Sequence, residues 1–194
     1  MQIQKESLDT IFNTARTYPG WLNTPVEDNL LKQVYELMKL GPTSMNCCPA
    51  RIVFVKSKEA KERLKPCLAP FNVDKTMAAP VTAIVAYDLH FYEKMDVLWP
   101  HADAVSIFKG NDSLISETAL RNGSLQGAYL IIAARSLGLD CGPMSGFNAA
   151  KLDQEFFPEG ILKSNFLCNL GYGDPTSLYP RGARLAFDTV CEVL

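Results

Sequence analysis

The chain has 194 residues, 47% of them hydrophobic, with 19 basic and 21 acidic side chains and a formal net charge of -2. That length predicts a single domain, residues 1-194, burying roughly 70% of its unfolded surface, and the even scatter of charge leaves no basic stripe to displace counterions, which argues against nucleic acid. No apolar run approaches the roughly 20 residues of a membrane helix and MQIQKESLDT has no signal-peptide core, so a cytoplasmic protein with no membrane partner is expected.

In chain order, Leu8, Ile11, Phe12 and Ala15 fall at helical spacing behind Ser7, which can cap, so a first amphipathic helix is predicted over 7-15. Thr24-Pro25-Val26-Glu27 has the pattern of a capping box with proline at the first helical position. It predicts a second helix, with Leu30, Leu31, Val34, Leu37 and Met38 on one face and an end at Gly41-Pro42. GPTSMNCCP then forms a polar loop before the strand-like RIVFV. Ser57 to Leu64 reads as an exposed helix, Cys67 to Asp74 as a loop, and Val81 to Tyr87 as a buried strand. The aromatic-rich stretch from Asp88 to Ser113 is either a lid or a connection stapled to the body by Phe91, Tyr92, Trp99 and Phe108. The six cysteines are scattered without C-x-x-C spacing. Only Cys47-Cys48 cluster, and with no histidine or acid at ligand spacing no metal site is expected.

Ala119 to Phe147 organises the rest. Ala128 to Ala134 is apolar or aromatic throughout, which predicts a central helix covered on several sides. Gly123, Ser124 and Gly127 lack bulk and allow close approach of another backbone or a flat ligand, with helix packing as the simpler reading. Gly138 and Gly142 can take left-handed conformations, so Gly142-Pro143-Met144-Ser145-Gly146-Phe147 is expected to be a tight loop offering main-chain N-H groups. A short helix over 148-157, a strand over 166-171, a turn at Gly171-Tyr172-Gly173-Asp174-Pro175 and an extended tail complete the chain. Helices and strands mix without β-α-β alternation, and no G-x-G-x-x-G follows a strand, so an α+β sandwich is favoured over a Rossmann fold.

Four separated stretches resemble the nitroreductase family, FMN-dependent NAD(P)H oxidoreductases that work as intertwined homodimers. Pro42-Thr43-Ser44-Met45-Asn46-Cys47-Cys48-Pro49 is similar to the family's P-S-S-x-N-x-Q-P-W loop. Asn72-Val73-Asp74-Lys75 resembles its N-x-x-K pair at the flavin pyrimidine edge. Leu137 to Phe147 resembles the loop beneath the flavin, and Gly171-Tyr172-Gly173 with Arg181 and Arg184 resembles the C-terminal turn and its basic residues. The resemblance implies a small mixed sheet surrounded by helices. It also implies FMN as cofactor, NADH or NADPH as donor, and cofactor contacts at Arg16, Thr17, Ser44, Asn46, Asn72, Lys75, Pro143, Met144, Ser145, Gly146, Gly173, Arg181 and Arg184. Ser44 and Asn46 are expected to serve the partner subunit's flavin. Ala15-Arg16-Thr17 stands where paired basic residues are usual, Pro19 where a further basic residue is common, and Cys48 and Ala50 replace the loop's glutamine and tryptophan.

ARTYPGW, GPTSMNCCPARIVF and ETALRNGSLQGAYLI resemble the malonic semialdehyde reductase, or 3-hydroxypropionate dehydrogenase, subfamily. That implies a small-molecule aldehyde acid as substrate, with His101 or Tyr92 as proton donor and Arg121 on the carboxylate. The structural alternatives are an exposed histidine and an Arg121 paired with Glu117 one turn away. The rival functions are a broad nitro or quinone reductase and a flavin-binding protein without turnover.

Overall fold

A computed structural model describes residues 2-194. In chain order, α1 (Lys5–Leu8) continues into one π-helical stretch, Asp9–Asn13. Then come α2 (Asp28–Met38), β1 (Ala50–Val55), α3 (Lys58–Leu64), α4 (Pro70–Ala78), β2 (Val81–Asp88), α5 (Met95–Leu98), α6 (Ala104–Phe108), α7 (Asp112–Ser136), β3 (Asp140–Met144), α8 (Ala149–Phe156), β4 (Leu162–Gly171) and α9 (Phe187–Val190). The strands form one sheet in the order β1-β2-β4-β3.

Every strand pair is antiparallel, where the sequence led to a mixed sheet; a lone parallel bridge joins Thr17 to Cys141 at the β3 edge. Side-chain alternation along β2 and β4 builds two cores. Ala83, Val85, Cys168 and Leu170 face α2 and α7, meeting Leu31, Val34, Met38, Leu130, Ala133 and Ala134. Their neighbours Ile84, Ala86 and Leu167 face the other way, against Leu64 of α3, Leu152 of α8 and Phe157. Full burial of each large aliphatic chain contributes about 1.5–3 kcal/mol, so these two layers dominate stability. A third cluster gathers Phe91, Met95, Ala104 and Phe108 against Ile115 and Ala119 of α7. Phe91 and Phe108 meet edge to face at 4.9 Å, which makes the 88-113 stretch a set of short helices stapled to the body.

Several local expectations give way to tertiary packing. α2 starts at Asp28 with the extended Glu27 as its N-cap residue, because Val26 is drawn fully into the core and keeps the Thr24-Pro25 segment out of the helix. Residues 7-15 are not one α-helix: α1 and the π-helical stretch share them, and Leu8 and Phe12 stay exposed. Residues 70-78, read as mostly loop, form α4 with Pro70 in its first turn, the one helical place where a missing N-H costs nothing. Gly142 to Met144 belongs to β3, so the expected tight loop shrinks to Ser145-Gly146-Phe147; of Gly138 and Gly142, Gly138 is the one in the left-handed region, at φ 81°. The tail carries the helical turn α9 rather than an extended segment, and Leu185, Phe187, Val190 and Val193 are exposed on it.

Helix α7 buries Asn122, Gly123, Gln126, Gly127 and Leu130 on one side, while Leu120, Leu125 and Tyr129 remain exposed, so its cover within this chain is one-sided. Its glycines serve helix packing. A Cβ at Gly127 would lie 2.5 Å from the Phe166 ring on β4, and one at Gly123 would lie 3.0 Å from Tyr87 Cβ on β2.

Candidate active site

Three distant segments meet at a cleft of about 280 Å³. The N-terminal segment contributes Phe12, Ala15, Arg16 and Thr17; the last turn of α7 contributes Arg135; the C-terminal segment contributes Tyr179, Arg181 and Arg184. Thr17 is held there by its bridge to Cys141, and Tyr18 N-H donates to the Cys141 carbonyl at 3.3 Å. Arg16 donates to the Tyr179 carbonyl, and Arg181 to the carbonyls of Asn13 at 2.8 Å and Ala15 at 3.0 Å, so two guanidiniums also tie the two ends of the chain together. Arg135 donates to the Ile11 carbonyl at 3.1 Å, and its buried Nε has no partner. Among the described residues none of these four arginines forms an ion pair, and no acidic residue lines the cleft. Four converging cations without a carboxylate make a site for an anion, and guanidinium forks suit phosphate oxygens.

A second cleft, about 430 Å³, lies along the same helix and is lined by Ser124, Ala128, Ile131, Pro143, Met144, Ser145, Asn165 and Phe166. Ile131 lines this one and Arg135, four residues on, lines the cationic one, so the two clefts are one helical turn apart. The floor of the second is the end of β3. Behind it, Asn72 of α4 is 1% exposed; its Nδ2 donates to the Gly146 carbonyl at 2.8 Å, and its Oδ1 is buried with no partner. A Cβ at Gly146 would come within 2.5 Å of the Asn72 amide nitrogen and 2.8 Å of the Phe71 ring, so the backbone must be bare there. Lys75 follows Asn72 by three residues on α4, and its carbonyl accepts from the Trp21 indole at 3.0 Å and from Asn169 Nδ2 at 3.2 Å.

The structure thus brings together Arg16, Thr17, Arg181 and Arg184 at one cleft and Pro143, Met144 and Ser145 at the next, with Gly146 and Asn72 joined by a hydrogen bond behind them. Gly173 supports this region from outside: its N-H donates to Asp140 Oδ2 at 2.9 Å, and the Tyr18 ring leaves no space for a side chain. Ser44 and Asn46 line neither cleft. They sit on a loop in which Met45, Asn46 and Cys48 all take positive φ, between 40° and 52°, a costly conformation held by buried α7 amides. Asn122 Oδ1 accepts from Ser44 N-H and Gln126 Oε1 from Ala50 N-H, both at 2.8 Å.

His101 is exposed, edge-on to Trp99 at 5.0 Å, and Arg121 is an exposed partner of Glu117 one helical turn away. Neither lines the two clefts. No group of three or more metal-ligating side chains occurs among the described residues, and all six cysteines are free. Burial pushes the Cys47 thiol up to about 11, which keeps it protonated and unreactive. Sequence reasoning passed over Arg135. The lone charge closing an apolar run was its only mark, and a basic residue in a helix's last turn also satisfies the helix dipole.

An antiparallel four-stranded sheet with helices on both faces and two neighbouring clefts along α7, one of them cationic, defines an α+β protein. The chain belongs to the Nitroreductase family, whose sequence profile matches residues 1–172. A relative from Polynucleobacter asymbioticus, named a putative NADH dehydrogenase/NAD(P)H nitroreductase, is 58% identical over 192 residues, 99% of this chain and 98% of its own. Among solved structures, a putative nitroreductase from Bacillus subtilis superposes with a TM-score of 0.88 at 21% identity, covering 98% of this chain and all of that one. Another, from Exiguobacterium sibiricum and solved in complex with FMN, gives 0.86 at 18% identity, covering 100% of this chain and 99% of that one.

Proposed function

We propose that this chain is an FMN-dependent NAD(P)H oxidoreductase that works by ping-pong hydride transfer and reduces malonic semialdehyde to 3-hydroxypropionate. The observation carrying the cofactor assignment is the four-arginine cleft without a carboxylate, one helical turn from the Pro143-Ser145 floor. The names of similar proteins, with NAD(P)H in one and FMN in another, support it. Bound FMN supplies a ring that accepts hydride from a nicotinamide and gives it to a second substrate. Arg16, Arg135, Arg181 and Arg184 neutralise the phosphate. The orphaned Asn72 Oδ1 is an acceptor suited to a ring N-H, and Lys75 adds positive charge at the same edge. The bare backbone at Gly146 keeps that amide in place.

For an aldehyde acid, His101 or Tyr92 is the proposed proton donor and Arg121, released from Glu117, the proposed partner of the carboxylate; as none of the three lines the clefts of this chain, they would reach the substrate from a second copy. The site is completed by a second copy of the chain, which brings Ser44 and Asn46. In favour of a dimer, Leu120, Leu125 and Tyr129 on α7 and Leu185, Phe187 and Val190 in the tail are large apolar side chains left exposed. The relatives' name favours a second reading, a broad nitro or quinone reductase on the same flavin chemistry.

The test is anaerobic. The protein is loaded with FMN, desalted and bleached with NADH or NADPH, and recovery of the flavin spectrum is followed with malonic semialdehyde, a nitroaromatic or a quinone. Fast recovery with the aldehyde supports the assignment; recovery only with the aromatics moves the substrate to the second reading. Absence of flavin turnover at saturating FMN defeats both.

A further inference from the structure

Lys61 is the single buried cation among the described residues, 4% exposed, and it takes part in no ion pair. α3 carries it inward, and its Nζ donates to the Thr76 carbonyl of α4 at 2.8 Å and to Thr82 Oγ1 of β2 at 2.6 Å. Thr82 Oγ1 donates onward to Asn169 Oδ1 of β4 at 2.7 Å, and Asn169 Nδ2 donates to the Lys75 carbonyl. The last-turn carbonyls of α4 at 75 and 76, which have no helical partner, are therefore satisfied by Trp21, Asn169 and Lys61, with the cation at the negative end of the helix. Thr76 Oγ1 in turn reaches Met144 Sδ at 3.5 Å, linking this turn to the floor of the planar cleft. A buried lysine without a counter-ion costs stability, so packing alone does not account for its charge.

We propose that Lys61 is a positioning residue of the cofactor site, its ammonium fixing the C-terminal turn of α4 at Lys75 and Thr76 and so the seat of the helix whose first turn carries Asn72. The inference rests on the FMN reading above. Charged and titratable neighbours do not substitute for it. On α3 itself Lys58, Glu59, Glu62 and Arg63 are exposed, as is Lys65 just beyond its end. On α4 Asp74 is exposed and Lys75 is half-buried. At the far end of β2 Asp88 pairs with Arg51 and Tyr87 is half-buried; β4 offers Lys163 and the buried Cys168 thiol, which its hydrogen bond with Cys141 and then burial push well above the ordinary thiol range. Burial alone pulls the Lys61 ammonium down to about 7, so its charge changes around neutrality. Charge-assisted hydrogen bonds are roughly twice as strong as neutral ones, and their loss loosens the turn above that pH.

The experiment measures FMN dissociation constants by flavin fluorescence between pH 6 and 9 for the wild-type chain and Lys61→Met. FMN's own phosphate ionisation is common to both and cancels in their ratio. The wild type is expected to bind about tenfold tighter than the variant at pH 6, an advantage falling about fivefold through pH 7 to 8.5. A ratio unchanged across that range overturns the inference while leaving the FMN reading intact; failure of the wild type to bind FMN at any pH overturns both. In case Lys61→Met does not fold, a 13C titration of the wild-type lysine side chains decides. A lysine titrating near 7 whose midpoint rises on FMN binding supports the inference by linkage, and the absence of such a resonance, or a midpoint FMN does not move, overturns it.

Discussion

At Gly146 the main chain makes room for the Asn72 amide, and the consequence is specific. Gly146→Ala puts a methyl group within 2.5 Å of where Asn72 Nδ2 now lies, which displaces the buried amide and its unpartnered Oδ1. Phe71 is exposed and can swing aside, but Asn72 is buried and loses its hydrogen bond to the Gly146 carbonyl, so the melting temperature is expected to fall by about 2–4 °C and FMN affinity to drop about tenfold, in a paired thermal and fluorescence titration. Arg135→Gln tests the residue with the fewest sequence cues. It removes one of four cations and is expected to weaken FMN about tenfold, yet to weaken riboflavin, which lacks the phosphate, hardly at all.

Lys61 makes a separate statement about stability without cofactor. Its folded-state pKa of about 7 lies below the ordinary lysine value of about 10.4, so between those values the unfolded chain binds more protons and stability rises with pH; below about 7 the burial cost is present in full. Cys47, pushed up to about 11, works the other way above roughly pH 8.5, where the unfolded thiol ionises and the folded one does not. The clean window is therefore pH 7 to 8.5. Urea midpoints of the cofactor-free wild type are expected to rise across it, and the rise should vanish in Lys61→Met; equal slopes in both would show that Lys61 is not the titrating group.

Among the elements, α7 does the most, and it does so through residues without bulk. Gly127 lets the helix seat on Phe166 and Val85, so Gly127→Ala forces overpacking at the sheet and is expected to cost about 1–3 kcal/mol in urea unfolding. The same helix holds the strained 43-48 loop through Asn122 and Gln126, so a shift of its axis reaches Ser44 and Asn46 as well. β3 has a comparable double use: Cys141 and Gly142 pair with Leu170 and Asn169, while Pro143 and Met144 floor the planar cleft. Its apolar content and glycine look like a loop in isolation, because β3 is a strand by pairing with β4 rather than by propensity.

For the whole molecule, the exposed apolar face of α7 and the tail beyond Arg184 belong to one expectation. Ending the chain at Arg184 keeps all four cleft arginines and removes Leu185, Phe187, Val190, Val193 and Leu194, each more than half exposed. Light scattering after size exclusion is expected to show a dimer for the full chain and a monomer for the truncated one. A full chain that runs as a monomer at micromolar concentration would remove the dimeric site from the proposal.

Local chemistry was legible in the amino-acid order. The strands at RIVFV and VTAIVAY, the long central helix and the short helix over Ser57 to Leu64 all follow from short-range pattern, and the resemblance to one family supplied the proposed places of Arg16, Asn72, Pro143 and Arg181. Tertiary structure alone decided that Thr24-Pro25 stays outside α2 under the pull of Val26, that 70-78 is a helix, and that the sheet is antiparallel throughout. It also decided that Arg135 joins three arginines from the two chain ends, and that a lysine in a charged surface helix turns inward to close another helix's last turn. Periodicity reports what each residue does to its neighbours within a turn or two. Where a side chain ends up depends on segments a hundred or more residues away, and there burial and hydrogen bonding outweigh propensities of a fraction of a kcal/mol, about 0.5 per residue.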